Sequence, residues 1–136
     1  SIFQYMIGNS DFSVSGRHNL KLLKSKDYKE TELIPIPYDL DYSGLVNAHY
    51  AVPSDKIPIE EVTQRFYRGL CRNDDLYNYV LDIFREKKDE IYSFIESFEY
   101  LDKKSQKYIL KYISDFYDEI ERDNFIKKKI RPTCSS

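Results

Sequence analysis

Residues 7 to 44 read IGNSDFSVSGRHNLKLLKSKDYKETELIPIPYDLDYSG, and most of the chain's candidate chemistry lies in this stretch. It begins with the end of a helical run, because Gly8 and Asn9 are typical of a helix C-terminus. A loop of small and polar residues follows, and then two extended runs, 19–24 and 31–37, with a polar turn between them. Since two prolines exclude the second run from the centre of a sheet, the stretch predicts a small antiparallel hairpin.

Four polar residues flank these predicted elements. Asp11 follows the helix end, Asn19 opens the first strand, and Asp39 and Asp41 follow the second strand. Carboxylate and amide oxygens are ligands for hard divalent cations, and a carboxylate can also accept a proton. Each residue also has an ordinary structural interpretation, because Asp and Asn bond the local backbone in turns and at strand ends. It is their joint arrangement that favours a functional site.

An ordered loop over the site is predicted at 42–58, because this segment contains Gly44, Pro53 and Pro58 among residues of mixed polarity. The candidates for contacts with the site are Asn47, His49 and Tyr50.

The remainder of the chain predicts helices that pack on this N-terminal part. A short helix is expected over 59–68, after a proline and with acidic residues in its first turn. Apolar residues recur at helical spacing over 73–98 and over 102–130, which predicts an antiparallel pair of amphipathic helices. Asn73 or Asp74 can cap the first helix, and Asp102 can cap the second.

The predicted fold is therefore α+β and mostly helical, with a short β-hairpin near the site and a C-terminal helical subdomain. The length of 136 residues suits a single domain, with a motif-bearing region over 1–58 and the helical subdomain over 59–131. We expect the chain to be the C-terminal part of a longer protein. The net charge of −2 and the lack of a long apolar run argue against binding to nucleic acid and against a membrane span.

The two cysteines, Cys71 and Cys134, are too few to predict a disulfide framework and are wrongly spaced for zinc, so the redox compartment stays open. The tail that follows Arg131 is predicted to fray. The basic run 127–129 is expected to be a solvated helix end.

The motifs Asn9-Ser10-Asp11, His18-Asn19 before an apolar strand, and Pro37-Tyr38-Asp39-Leu40-Asp41 resemble the C-lobe of atypical protein kinases. They are similar to the HipA kinases, which carry an Asn-Thr-Asp loop, a His, an Asn and a later Tyr-Asp-Leu. They also resemble the CotH kinases, which close with a Pro-aromatic-Asp-x-Asp run. The resemblance covers about residues 1 to 50.

The resemblance implies ATP- and Mg²⁺-dependent phosphate transfer to an unknown protein or small-molecule acceptor. Asp11 would be the catalytic base, and Asn19 and Asp39 would be metal ligands, with Asp41 as a second acidic ligand. The chain contains no glycine-rich loop and no strand lysine ahead of Asp11 to hold a nucleotide. An N-terminal lobe would have to supply them, and the fragment alone is expected to be inactive.

Two other functions are compatible with the residues. One is a pseudokinase or helical interaction module without catalysis, whose long helices dock a partner. The other is a metal-dependent hydrolase that uses Asp11, Asp39, Asp41 and His49 around one ion. Lone histidines beside a tyrosine more often pack in loops, and arginines such as Arg65 and Arg68 either pair with the acids or a phosphate, or remain solvated. For these residues both interpretations stay open.

Overall fold

The computed structural model describes residues 1–14, 16–27 and 33–135, and it confirms the predicted fold class, an α+β chain that is mostly helical. Within those residues no helix is both long and apolar enough to cross a lipid bilayer. A π-helical turn at Ile126–Ile130 follows the last α-helix. The elements in chain order are α1 (Ile2–Met6), β1 (Leu20–Lys24), β2 (Leu33–Pro37), α2 (Asp74–Glu86), α3 (Lys88–Ser97) and α4 (Lys103–Ile120).

Helix α1 ends where the sequence predicts. Gly8 adopts a φ of 65°, and its N–H donates to the Tyr5 carbonyl at 3.0 Å. The next N–H, of Asn9, reaches back to the Gln4 carbonyl at 2.8 Å. This pair of bonds is the Schellman motif, which needs a residue that tolerates a left-handed backbone at its glycine position. The chain therefore turns sharply just before Asp11.

The predicted hairpin is confirmed for the described residues, whereas Thr31 and Glu32 lie outside them. Strands β1 and β2 pair antiparallel, with Leu20 opposite Pro37 and Leu22 opposite Pro35. The Tyr38 N–H donates to the Asn19 carbonyl at 3.2 Å, so every second pair along the ladder exchanges hydrogen bonds. The two prolines fall at the other pairs, where no N–H is needed. This register places Asn19, at the start of β1, beside the end of β2.

Two N-caps and two contacts between helices define the C-terminal helices. The Asn73 carboxamide oxygen accepts from the Leu76 N–H at 2.9 Å, and Asp102 accepts from the backbone of residues 104 and 105, as the sequence predicts. Gln106 near the start of α4 bonds the Ile95 carbonyl near the end of α3, while Tyr117 near the end of α4 bonds Phe84 in α2. This order of contacts makes α4 antiparallel to the α2–α3 pair.

Both long predicted helices are shorter than expected. The run over 73–98 divides at Lys87 into α2 and α3, although the Lys87 N–H and carbonyl keep their helical partners. The run over 102–130 ends at Ile120 and resumes only as the π-helical turn. The predicted apolar stripe of the first run also faces the core only in part, because Tyr79 and Phe94 are each 64% exposed while Tyr77 and Leu81 are buried.

The short helix predicted over 59–68 is wrong. The segment contains turns and no helix, and its side chains are committed to other parts of the molecule. The Gln64 carboxamide oxygen accepts from the Glu60 and Glu61 N–H groups, while Arg65 donates to the carbonyls of Met6 and Tyr112. Such distant contacts outweigh the modest local propensity for a short helix.

The core joins the N-terminal helix to the C-terminal helices. Tyr5 from α1 packs against Phe116 of α4 and against Phe125, with ring centroids 6.4 and 5.6 Å apart, and its hydroxyl donates to the Glu119 carboxylate at 2.5 Å. Aromatic side chains pack against one another in this core, and their edge-to-face pairs add to the stabilisation from buried apolar area. The buried cluster consists of Ile2, Tyr5, Met6, Ile7, Tyr67, Tyr77, Leu81, Ile95, Ile113, Phe116, Tyr117, Ile120, Phe125 and Ile130.

The two cysteines form a disulfide, Cys71–Cys134, and the predicted fraying of the tail is wrong for its described residues. The Cys71 N–H donates to the Ser135 carbonyl at 2.8 Å, and the Ser135 N–H donates to the Gly69 carbonyl at 3.1 Å. Spacing alone could not predict the pair, because the cysteines meet only after the π-helical turn directs the tail back to residues 69–71. The bond closes a loop of 63 residues that contains all three long helices.

Loss of this disulfide should destabilise the protein. A cross-link across a 63-residue separation reduces the entropy of the unfolded chain by an amount equivalent to about 4 kcal/mol. We expect the free energy of unfolding of the Cys71→Ser, Cys134→Ser double variant, measured by urea denaturation, to be lower than that of the wild type by that amount. Its midpoint should therefore fall at a lower urea concentration. Reductant should lower the wild-type midpoint to the same value and leave the variant unchanged. Equal midpoints for oxidised and reduced wild type would contradict the pairing.

Tyr112 of α4 holds two glycines together. A Cβ placed on either Gly8 or Gly44 would meet the phenol of Tyr112, and the Gly44 N–H donates to the Gly8 carbonyl at 3.1 Å. The Tyr112 hydroxyl donates to the Thr63 carbonyl at 2.9 Å, and the Arg65 guanidinium lies 4.0 Å from the centre of the ring. Burial raises the pKa of Tyr112 to about 12, so its hydroxyl remains a donor at neutral pH.

Gly44→Ala should therefore destabilise the protein by about 2 kcal/mol, since the added methyl group meets both the Tyr112 ring and the Val62 carbonyl. Gly16→Ala is the matched control, because its Cβ would meet only the Ser13 side chain, at 3.0 and 3.3 Å. Chemical denaturation of both variants measures the difference. Equal stabilities of the two variants would show that the Tyr112 side chain can move away from an added methyl group without loss of stability.

Candidate functional site

The backbone before Asp11 is held from inside the molecule. Asn9 is buried, its amide donates to the Gln4 side-chain oxygen at 3.0 Å, and its own side-chain oxygen accepts from the Asp11 N–H at 2.9 Å. This Asx turn determines the direction in which the Asp11 side chain leaves the loop. Asp11 stands at the end of a rigid turn, with 44% of its side chain exposed.

Both residues of the His18-Asn19 pair reach the Asp11 side chain. The His18 Nε2 lies 3.1 Å from Asp11 Oδ1, and the Asn19 Nδ2 donates to Asp11 Oδ2 at 3.0 Å and to the Asp11 carbonyl at 2.9 Å. A carboxylate has about four lone-pair positions, so two bonds leave it able to accept another proton. The Asn19 side chain is thus used across the loop, and its amide oxygen is the atom that remains for a ligand.

Asp39 interacts with Asp41 and, more weakly, with Asp11. The pKa of Asp39 is raised above its ordinary value of 3.8, first because the protonated carboxyl hydrogen-bonds to Asp41 and then because the Asp41 charge opposes ionisation. The charge of Asp11 adds a smaller effect in the same direction, and His18 acts in the opposite direction. The three acids therefore share one electrostatic environment, although they are far apart in sequence.

The backbone is strained where these residues sit. Among the described residues, four that are not glycine have a positive φ: Arg17 at 50°, Asn19 at 51°, Asp39 at 57° and Asn47 at 48°. Asn and Asp tolerate this conformation better than most residues, yet it still has a cost. Two of the four are candidate ligands, which fits the tendency of such conformations to cluster at functional sites.

The loop after Asp41 returns to the acidic pair. The Tyr50 hydroxyl donates to Asp41 Oδ2 at 3.0 Å, and this bond is the main cause of a raised pKa for Tyr50. The Tyr50 ring packs against Tyr42 and edge-on against His49, with centroids 6.1 and 5.2 Å apart. His49 is thus packed on a tyrosine ring, and Tyr50 is the loop residue that bonds an acid.

A cavity of about 280 Å³ opens beside Asp11. The loop predicted over 42–58 supplies most of its wall, and the buried Val62 closes part of the remainder. This position confirms that the loop covers the region of the acids. The residues that line the cavity are Ser10, Asp11, Tyr42, Val52, Pro53, Ser54, Asp55 and Val62.

The two candidate arginines bind backbone carbonyl groups. Arg65 bonds Met6 and Tyr112, and Arg68 donates to the Ser10 carbonyl. In the described part of the chain, no ion pair involves Asp39 or Asp41. The arginines thus stabilise the segment that leads to Asp11 and do not pair with the acids.

The donor set suits a magnesium ion, because Asp39, Asp41 and the Asn19 amide oxygen are hard oxygen ligands and the repulsion between the two acids would be relieved by a cation. The hydrolase alternative would use the same acids together with His49. For both alternatives, no three His, Cys, Asp or Glu side chains in residues 1–14, 16–27 and 33–135 are grouped to hold one ion.

Comparisons of the chain with protein-family models, with curated proteins and with solved structures gave no match. The function must therefore be argued from the geometry of the site.

The structure brings the residues singled out in the sequence together in two groups. Asp11 is bonded to Asn19, and Asp39 adjoins Asp41, with an electrostatic effect between the groups. The sequence predicts the loop over 42–58 and gives Tyr50 as one of its candidates for contacts, but it does not single out residues 52–55, which form the cavity wall. The only local signal for that wall was Pro53, which marks an ordered turn but does not indicate what it faces.

Asp41→Asn should lower the pKa of Asp39. The substitution removes the neighbouring charge, and the new amide can donate to an ionised Asp39, so both main causes of the upward shift disappear. Carbon-detected NMR titration of the Asp39 carboxyl measures this change, and Mg²⁺ should shift the wild-type titration in the same direction. Asp75→Asn, on α2, is the control and should have no effect. An unchanged Asp39 titration in Asp41→Asn would contradict the described pairing.

Proposed function

We propose that this chain is the catalytic-lobe part of an atypical kinase of the CotH or HipA type, which transfers phosphate from ATP with Mg²⁺ in the complete protein. The contact between Asn19 and Asp11 is the observation that carries the proposal. Both residues belong to the loop between α1 and β1, and the Asn19 amide holds the Asp11 carboxylate from the far end of that loop, as the asparagine of a kinase-like site would hold the base.

Each residue has a role that its surroundings support. Asp11 would accept the proton of the acceptor hydroxyl, since it borders a cavity and keeps unused lone pairs. Asn19 holds Asp11 in position and offers its amide oxygen to the metal. Asp39 and Asp41 are the acidic ligands. A bound magnesium ion would orient the phosphates and neutralise the charge that develops on them.

The chain assigns no residue to the nucleotide itself. It contains neither a glycine-rich phosphate loop nor a strand lysine ahead of Asp11, so these groups would come from an N-terminal lobe. Exposed apolar residues of the hairpin are compatible with such a lobe. Leu23, Leu33 and Ile34 are each more than half exposed, which is unusual for the apolar residues of a strand pair.

A pseudokinase or helical interaction module is the second candidate, and a specific surface favours it. An apolar groove of about 650 Å³ runs between α1, the segment after Asp39 and the three long helices. Phe94 stands 64% exposed at its edge, and the ring of Phe98 continues the apolar surface 5.6 Å away. Grooves of this kind bind amphipathic helices in other proteins.

Nucleotide binding by the intact protein tests the first candidate. Calorimetry with an ATP analogue and Mg²⁺ should show binding to the wild type and at least about a tenfold loss of affinity in Asp39→Ala, because a charged metal ligand is removed. Asp11→Ala should keep the affinity and lose transfer by about 10² to 10⁴-fold, since it removes only the proton acceptor.

Asp75→Asn serves as the control for both measurements and should behave as wild type. If the intact wild-type protein binds no nucleotide in the presence of Mg²⁺, the kinase proposal fails and the interaction module becomes the better account.

A further inference from the structure

The cavity beside Asp11 has the size of a small-molecule subsite. Its volume of about 280 Å³ corresponds to roughly nine water molecules at about 30 Å³ each, so it suits a ligand on the order of ten non-hydrogen atoms or one side chain. It lies at the lower limit of ordinary ligand pockets. An acceptor that enters it would bring its reacting group directly to Asp11.

The walls of the cavity differ in chemistry. Val52, Pro53 and Val62 form an apolar part, and the ionisable groups other than Tyr42 are two carboxylates, Asp11 and Asp55. None of the lining residues is a lysine, an arginine or a histidine. Asp55 is exposed to solvent, and no ion pair of the described residues involves it.

The wall that carries Asp55 is anchored to the acidic pair. Tyr50 bonds Asp41 and packs on Tyr42, and Tyr42 itself lines the cavity. The loop from Val52 to Asp55 begins two residues after Tyr50, so its position depends on the same contacts that orient Asp41. The cavity and the candidate metal ligands therefore form one continuous arrangement.

We propose that this cavity is the acceptor subsite and that it takes a small hydroxyl compound bearing a primary amine, with the hydroxyl at Asp11 and the ammonium group paired with Asp55. The inference rests on the proposed kinase function. An ammonium group would form a charge-assisted hydrogen bond with the exposed Asp55 carboxylate, which a neutral acceptor cannot form.

The transfer step balances with the groups named. The acceptor oxygen forms a bond to the γ-phosphorus of ATP, and its proton passes to the Asp11 carboxylate. The bond from the γ-phosphorus to the β,γ-bridging oxygen breaks, its electron pair stays on ADP, and the product is a phosphate monoester of the amino alcohol.

Two matched pairs of compounds test the charge preference in the intact protein. Glucosamine differs from glucose, and serinol from glycerol, by an ammonium group in place of a hydroxyl. We expect the amine of each pair to bind, and to be phosphorylated, about threefold better than its neutral twin, a ratio that an ion pair to an exposed carboxylate can supply. Ligand-observed NMR without nucleotide measures binding, and phosphorus NMR with ATP and Mg²⁺ measures the ester formed.

Substitutions at Asp55 identify the residue responsible. Asp55→Asn should reduce the preference to near one, and Asp55→Lys should reverse it. Glu60→Gln is the matched control, because it removes an exposed carboxylate from the same segment outside the cavity and should change nothing. Equal binding of amine and neutral twins by the wild type, or a preference that survives in Asp55→Lys, would overturn the inference.

The two readouts separate this inference from the proposed function. Asp55-dependent amine binding without any phosphate ester would contradict the kinase proposal and leave a cation-binding cavity. Binding of Mg²⁺ and nucleotide with no binding of either amine would uphold the kinase proposal and exclude this class of acceptor.

Discussion

The rest of the structure depends on the packing of the Tyr112 side chain against two glycines. The phenol lies between Gly8 and Gly44, whose backbones join through the 3.1 Å bond from the Gly44 N–H to the Gly8 carbonyl. The Tyr112 hydroxyl donates a hydrogen bond to the Thr63 carbonyl, and the Arg65 guanidinium lies over the face of the ring. Three segments that are distant in sequence thus meet at one ring of α4. A side chain at either glycine would separate them.

This packing explains how the acids come together. Asp11 follows Gly8 by three residues, and Asp41 precedes Gly44 by three residues, so the joined glycines carry the two acids to the same region. The hairpin register makes the second connection, because it sets Asn19 beside the end of β2, just before Asp39. The position of the acids depends on both the contact between the glycines and the register of the hairpin. The glycine contact positions the loops, and the hairpin orients the residues at its ends.

Local features were predictable from the sequence because short-range chemistry decides them. The glycine stop of α1, the Asn73 and Asp102 caps and the hairpin with its two prolines all follow from residues within a few positions of each other. The failures share a different cause. The segment over 59–68, the Cys71–Cys134 bond and the Tyr50 contact with Asp41 depend on partners that only the folded chain brings near. Helical periodicity could not reveal that Arg65 would be held by α1 and α4.

The backbone conformations and the charges of the candidate site have an energetic cost that ordinary turns would not have. Asn19 and Asp39 both adopt left-handed backbone conformations, and the Asp39 charge is opposed by Asp41 and Asp11 with no ion pair from the described residues to relieve it. A divalent cation would reverse the sign of the interaction between the acids, because each carboxylate would then be attracted to the same charge. That relief is the electrostatic role that the proposed phosphoryl-transfer site would give to magnesium.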